Sequence, residues 1–146
     1  MTKNIVLLVE DNPDDEELTL MAFKHSKIAN EVVVVHDGVE ALEYLLGANQ
    51  SSGDTVNELP QVMLLDLKLP RLDGLDVLKR IRSDPRTQLL PVVILTSSRE
   101  EEDILSSYRL GANSYVRKPV EFEGFAEAIQ QLGLYWLIIN QPPPQR

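Results

Sequence analysis

The 146-residue sequence contains no cysteine, which excludes disulfides, thiolate nucleophiles and cysteine-ligated zinc or iron–sulfur clusters and fits a reducing compartment. Long apolar runs are missing too. Ile5 to Val9 and Leu134 to Ile139 fall far short of the roughly 20 residues a membrane span needs. The N-terminal Met1-Thr2-Lys3-Asn4 leads into a run too short for a signal peptide, so a cytoplasmic protein is expected. Basic residues are scarce, 14 Lys+Arg against 23 Asp+Glu for a net charge of -9. That argues against a general phosphate-backbone binder. It permits a metal site or a basic partner.

The chain is long enough for one core, since a domain of about 150 residues buries roughly 68–70% of its unfolded surface. Five apolar runs read as strands: Ile5 to Val9, Val32 to Val35, Val62 to Leu65, Val92 to Leu95 and Ser114 to Val116. The first four are continuous rather than alternating, as suits strands covered on both faces. Helical spacing fills the intervals over Pro13 to Lys27, Val39 to Leu46, Gly74 to Arg82, Arg99 to Leu110 and Glu121 to Ile139. Leu75, Leu78 and Ile81 share one stripe, and Phe122, Phe125, Ile129, Leu132 and Trp136 another. Five βα units with right-handed crossovers imply an open, doubly wound parallel sheet with helices on both faces. A single domain over 1–139 with a Pro-rich tail over 140–146 is the expected organisation, with no room for a DNA-binding domain. Gly47 to Pro60 reads as a surface loop. Asn12, Pro13 and the acidic run Asp14 to Glu17 suit a capped helix start.

In doubly wound sheets ligands bind beyond the carboxyl ends of the strands. Those ends carry Glu10 and Asp11, then Asp66, then Thr96 and Ser97, then Lys118. The first loop, Val9-Glu10-Asp11-Asn12-Pro13, has no glycine and two carboxylates, so it repels a bare phosphate rather than cradling one. With Asp66 it offers oxygen ligands for Mg²⁺, too few for a closed cage. A lysine can hold an anion, a threonine hydroxyl can donate to a phosphoryl oxygen, and a carboxylate can accept a phosphoryl group. Each residue alone has an ordinary reading, a turn former or a solvated charge; the set of acids, hydroxyl and lysine on one rim does not.

The motifs Val9-Glu10-Asp11-Asn12, Leu64-Leu65-Asp66-Leu67-Lys68-Leu69-Pro70 with Asp73-Gly74, Leu95-Thr96-Ser97, Gly111-Ala112 and Lys118-Pro119 resemble the receiver domain of two-component response regulators. The resemblance implies a flavodoxin-like sheet of strand order 2-1-3-4-5. It makes Asp66 the phosphoacceptor for a histidine kinase. Asp11, Asp66 and the backbone carbonyl of Lys68 would bind Mg²⁺, with Glu10 assisting. Thr96 and Lys118 would engage the attached phosphoryl group, Tyr115 would be the aromatic that turns inward as Thr96 moves, and the Lys118-Pro119 bond would be cis. Glu10 stands where many receivers have Asp. Lys68 stands at a variable position where a cation could alter dephosphorylation in either direction.

The apolar ending Leu134-Tyr135-Trp136-Leu137-Ile138-Ile139, the Asp14-Asp15 opening and the long second crossover are similar to stand-alone response regulators of cyanobacterial phytochromes. That group forms homodimers through the last helix and its C-terminal extension, which makes Phe122, Trp136, Leu137 and Ile138 the expected interface, with output through protein contact and no nucleic acid or membrane partner. Two other functions stay open. One is an aspartyl phosphatase of the haloacid dehalogenase type, although Lys68 occupies the place of its second Asp. The other is a diverged receiver that signals by contact alone.

Overall fold

A computed structural model of the chain describes residues 4–47 and 59–144; most of the segment expected to be the Gly47 to Pro60 loop lies outside the described residues. Five strands, β1 (Ile5–Val9), β2 (Glu31–Val35), β3 (Val62–Leu65), β4 (Val92–Thr96) and β5 (Ser114–Arg117), form one parallel sheet in the order β2-β1-β3-β4-β5. The helices between and after them are α1 (Pro13–Lys24), α2 (Gly38–Leu46), α3 (Gly74–Ser83), α4 (Glu101–Arg109) and α5 (Phe122–Gly133). This is the doubly wound, flavodoxin-like arrangement expected.

The continuous apolar strands work because alternate side chains enter different cores. Leu7, Val9, Met63, Leu65, Val92 and Ile94 pack toward α2 and α3, where Leu45, Val77, Leu78 and Ile81 meet them. Val6, Leu8, Val62, Leu64, Val93 and Leu95 pack toward α1 and α5, against Phe23, Phe125 and Ile129. Burying one Leu or Val contributes about 1.5–3 kcal/mol, so these two layers dominate the stability. Among its described residues α4 has one buried member, Ser107, which makes it the helix least tied to the core.

Most helix ends fall within one or two residues of the sequence reading, and two differ by more. α1 stops at Lys24 rather than Lys27, because the Ser26 hydroxyl and the Asn30 amide both donate to the Phe23 carbonyl, at 2.9 and 3.3 Å. Side chains of this kind compete with the helical backbone. The last helix is not uniform to Ile139. α5 ends at Gly133 and the chain continues as a π-helical turn, Leu134–Ile139. Gly133 lies against Phe23 so closely that a Cβ would sit 3.3 Å from its ring. The wider turn sends Leu137 into the core while Leu134, Tyr135, Ile138 and Ile139 stay exposed, and the Gln61 side-chain amide donates to the Leu137 carbonyl at 3.2 Å.

Arg82 joins the far ends of several elements. Its guanidinium donates to the carbonyls of Gly111, Gln88 and Leu90 at 2.9, 3.0 and 2.7 Å and to Asn113 Oδ1 at 3.0 Å. At Gly111, with φ 102°, a Cβ would lie 2.9 Å from Arg82 Nε.

Candidate functional site

The sheet ladder itself delivers the site residues. Beyond the strand ends, Glu10 N donates to Val35 O at 3.1 Å, Asp66 N to Val9 O at 3.2 Å and Lys118 N to Thr96 O at 2.8 Å. Three residues far apart in sequence are thereby held on one rim. At the mouth, Asn12 caps α1 by accepting from Asp14 N and Asp15 N at 2.9 and 3.1 Å. Pro13 occupies the first helical position, where its missing N–H costs nothing.

Lys118 is the electrostatic centre. Its ammonium donates to Glu10 Oε1 at 2.6 Å, Asp66 Oδ2 at 2.9 Å and Asp15 Oδ2 at 2.9 Å, and its side chain is 7% exposed. Burial by itself would lower the lysine pKa, but the hydrogen bond to Glu10 and the charge of Asp66 reverse this, and the net shift is upward. Burial also dominates at Glu10, pushing its carboxyl up to about 7 against the opposing pull of Lys118. One cation thus faces three carboxylates, an arrangement with affinity for further positive charge. Glu10, Asp11 and Asp66 each present one oxygen, all within 4.8 Å of one another. A hard divalent cation takes such ligands and completes its shell with water or substrate oxygens, so the donor set fits the metal that the motifs imply.

The structure brings Glu10, Asp11, Asp66 and Lys118 together, and Lys68 and Ser97 line the same cleft. Lys68 N donates weakly to Asp66 Oδ1 at 3.4 Å, and its exposed ammonium points to Asp103 at 3.8 Å. Thr96 is fully buried at the end of β4 and its hydroxyl oxygen accepts from Ser98 N at 3.4 Å. Tyr115 is half-buried against the α3-side core, with its hydroxyl donating to the Ser98 carbonyl at 3.1 Å. Burial pushes that phenol up.

Backbone packing holds the acceptor in place. A Cβ at Gly74 would lie 2.3 Å from the Asp66 carbonyl oxygen, so only glycine lets α3 begin against it. The loop before α3 is pinned by Arg71, at φ 66°, whose guanidinium bonds Asp37 Oδ2 at 3.0 and 2.9 Å. Desolvation raises the Asp37 carboxyl, but the Glu40 backbone N–H and the hydrogen bond and charge of Arg71 together outweigh it, and the net shift is downward.

Three findings differ from the sequence reading. The Lys118-Pro119 bond is trans, as are all described peptide bonds. Trans is the isomer an X-Pro bond prefers by about 0.5–1 kcal/mol, and from it the ammonium still reaches all three carboxylates. Leu137, expected at an interface, is 5% exposed inside the chain's own core, whereas Phe122 and Ile138 are exposed and Trp136 is partly covered. Asp15, read from sequence as a helix-start acid, is also the third ligand of Lys118. The helix cap that places it was legible, but its reach across to β5 depends on the sheet order.

Comparison with known proteins follows the same outline. Residues 6–130 match the response regulator receiver domain family. Response regulator Rcp1 of Synechocystis sp. is 36% identical over 134 residues, covering 91% of this chain and 88% of that protein. The crystal structure of its Mn(2+)-bound form superposes with a TM-score of 0.86 at 33% identity, covering 97% and 99% of the two chains. The phosphorylated cyanobacterial phytochrome response regulator RcpA gives a TM-score of 0.89 at 36% identity, covering 98% and 100%. The bacteriophytochrome response regulator RtBRR is 50% identical with a TM-score of 0.74, covering 98% of this chain and 86% of that one.

Proposed function

The chain belongs to the response regulator receiver family, and on that premise we propose that it accepts a phosphoryl group on Asp66 from a histidine kinase of the phytochrome type, in a reaction that requires Mg²⁺. The observation that carries the reading is the Lys118 ammonium shared by Glu10, Asp15 and Asp66. A buried cation already bonded to the acceptor is positioned to meet the anion that arrives there.

Asp11, Asp66 and the Lys68 backbone carbonyl would hold the divalent ion, with Glu10 beside them. Its contribution when bound is to neutralise the charge of the incoming phosphoryl oxygens. The remaining work falls to side chains. An Asp66 carboxylate oxygen attacks phosphorus; the new O–P bond forms as the P–N bond to the kinase imidazole breaks. Lys118 exchanges part of its carboxylate shell for a phosphoryl oxygen. The Thr96 hydroxyl, whose oxygen already accepts from Ser98 N, keeps its proton free to donate to the same group. Tyr115, bonded to the Ser98 carbonyl, reports that change to the surface beside α4. The protein catalyses only its own phosphorylation and dephosphorylation, and acts in the cytoplasm through protein contacts rather than on nucleic acid.

The receiving surface includes a second copy of the chain. Phe122, Trp136 and Ile138 lie on the α5 side with Leu134, Tyr135 and Ile139 exposed around them, an apolar patch that favours a homodimer. The test of the central claim is intact-mass measurement after incubation with acetyl phosphate and Mg²⁺. The expected result is one phosphoryl adduct that Asp66→Asn abolishes. Absence of an adduct, or its persistence in Asp66→Asn, would overturn the assignment.

A further inference from the structure

Asp103, in the first turn of α4, is used by none of the steps above, yet its carboxylate faces both loops that border the acceptor. Oδ2 accepts from the Ser98 hydroxyl at 2.6 Å and lies 3.8 Å from Lys68 Nζ, with the Asp103 side chain 15% exposed. Ser98 in turn donates its N–H to Thr96 Oγ1, offers its carbonyl to Tyr115 and accepts from Glu100 N at 3.3 Å. One carboxylate therefore fixes the residue on which the hydroxyls of both Thr96 and Tyr115 depend. The contact to Ser98 is short, charge-assisted and largely sheltered, whereas the Lys68 pair is exposed and loose, so the first carries the weight.

We propose that Asp103 is a positioning residue that sets the lifetime of the phosphoryl group by latching the β4–α4 loop across the mouth of the site. This rests on Asp66 being the acceptor. Hydrolysis of an aspartyl phosphate requires water to approach phosphorus in line. The water oxygen forms the new O–P bond, the bond to the Asp66 oxygen breaks, inorganic phosphate leaves, the carboxylate is regenerated and the water proton passes to phosphate or solvent. Lys68 and Ser97 both line the cleft that opens on Asp66, and a water reaching phosphorus passes through that cleft. Asp103 ties the loops that carry these two residues to each other, directly at Lys68 and through Ser98, the neighbour of Ser97. Without it the Ser98 loop loses its anchor and the mouth widens. Formation of the adduct is spared, because Asp103 meets none of Asp66, Asp11 and Lys118, and meets Lys68 only at its ammonium, not at the carbonyl that would hold the ion.

The test compares wild type, Asp103→Asn, Asp103→Glu, Ser98→Ala and the Ser98→Ala/Asp103→Asn double variant. Each is phosphorylated with acetyl phosphate and Mg²⁺, freed of donor, and followed by intact mass, with circular dichroism to verify folding. Asp103→Asn and Ser98→Ala are each expected to shorten the adduct lifetime by about tenfold, the scale of one hydrogen bond to a charged group. The double variant should lose no more than either single one, Asp103→Glu should recover part of the lifetime, and the rate of adduct formation should stay within about twofold, as expected for a group outside the reacting contacts. A folded Asp103→Asn or Ser98→Ala with wild-type lifetime overturns the latch and leaves the acceptor assignment standing. No adduct on the wild type overturns both.

Discussion

Replacing Lys118 by methionine tests the electrostatic account of the site most directly. The substitution keeps an unbranched apolar side chain but leaves Glu10, Asp15 and Asp66 facing one another without a cation. Removing one partner of a buried ion pair costs about 3–5 kcal/mol, and here a 7%-exposed ammonium serves three carboxylates. At roughly 2–4 °C per kcal/mol for a domain of this size, the melting temperature at pH 8 should fall by about 6–20 °C. The sign of the pH dependence follows from Glu10. Its folded carboxyl sits at about 7, above its ordinary 4.5, so its ionisation opposes folding; that contribution is absent below pH 4.5 and grows as pH rises through 7. Loss of Lys118 pushes the group higher still. The deficit should therefore be large at pH 8 and shrink at pH 6, where Glu10 takes up a proton. Mg²⁺ should also raise the melting temperature of Lys118→Met more than that of the wild type, because the ion no longer competes with an ammonium for the same oxygens. Thermal unfolding followed by circular dichroism at both pH values, with and without Mg²⁺, reads all three effects. An equal deficit at pH 6 and pH 8, or none at either, would refute the reasoning.

Divalent-ion binding to the wild type should weaken by up to about tenfold per pH unit below 7, since Glu10 must release its proton; calorimetry in two buffers of different ionisation enthalpy counts that proton, and identical affinity at pH 6 and 8 would refute the coupling. Gly74→Ala places a methyl 2.3 Å from the Asp66 carbonyl oxygen and should cost about 1–3 kcal/mol or more in urea unfolding, with slower adduct formation as the acceptor is displaced. Arg82→Met removes the donor to three carbonyls and to Asn113 Oδ1, which keeps only its bond from Val92 N, and should cost about 2–4 kcal/mol without changing the rate of phosphorylation. Ile138→Asp, on the exposed side of the π-helical turn, should convert a dimer to a monomer in equilibrium sedimentation at little cost in stability, whereas Leu137→Ala should cost about 2–5 kcal/mol; unchanged sedimentation of Ile138→Asp would remove the proposed interface.

Strand positions were readable because runs such as Ile5–Val9 and Val92–Thr96 are apolar on both faces, which only a covered parallel sheet accommodates. Once the sheet is parallel, residues at the carboxyl ends of its strands must share a rim, so sequence order alone groups Glu10, Asp11, Asp66, Thr96 and Lys118. Local chemistry was legible for the same reason. Asn12 and Pro13 begin α1 where a cap and a proline belong.

What depended on long-range packing was hidden. Asp15 reads as a helix-start acid until α1 folds over the rim and Lys118 arrives from β5. The hexapeptide Leu134 to Ile139 is apolar at every position, so periodicity carries no direction; the close approach of Gly133 to Phe23 and the widened turn decided that Leu137 goes inward and Ile138 outward. Arg82 is one more helix cation in the sequence, and only the tertiary fold surrounds it with carbonyls. Residue type and spacing determine which groups can meet a strand end, because strands and helices have fixed periods. Which side chain a charge finally pairs with is decided by the tertiary fold, since a buried ion settles wherever packing leaves it opposite charges and no water.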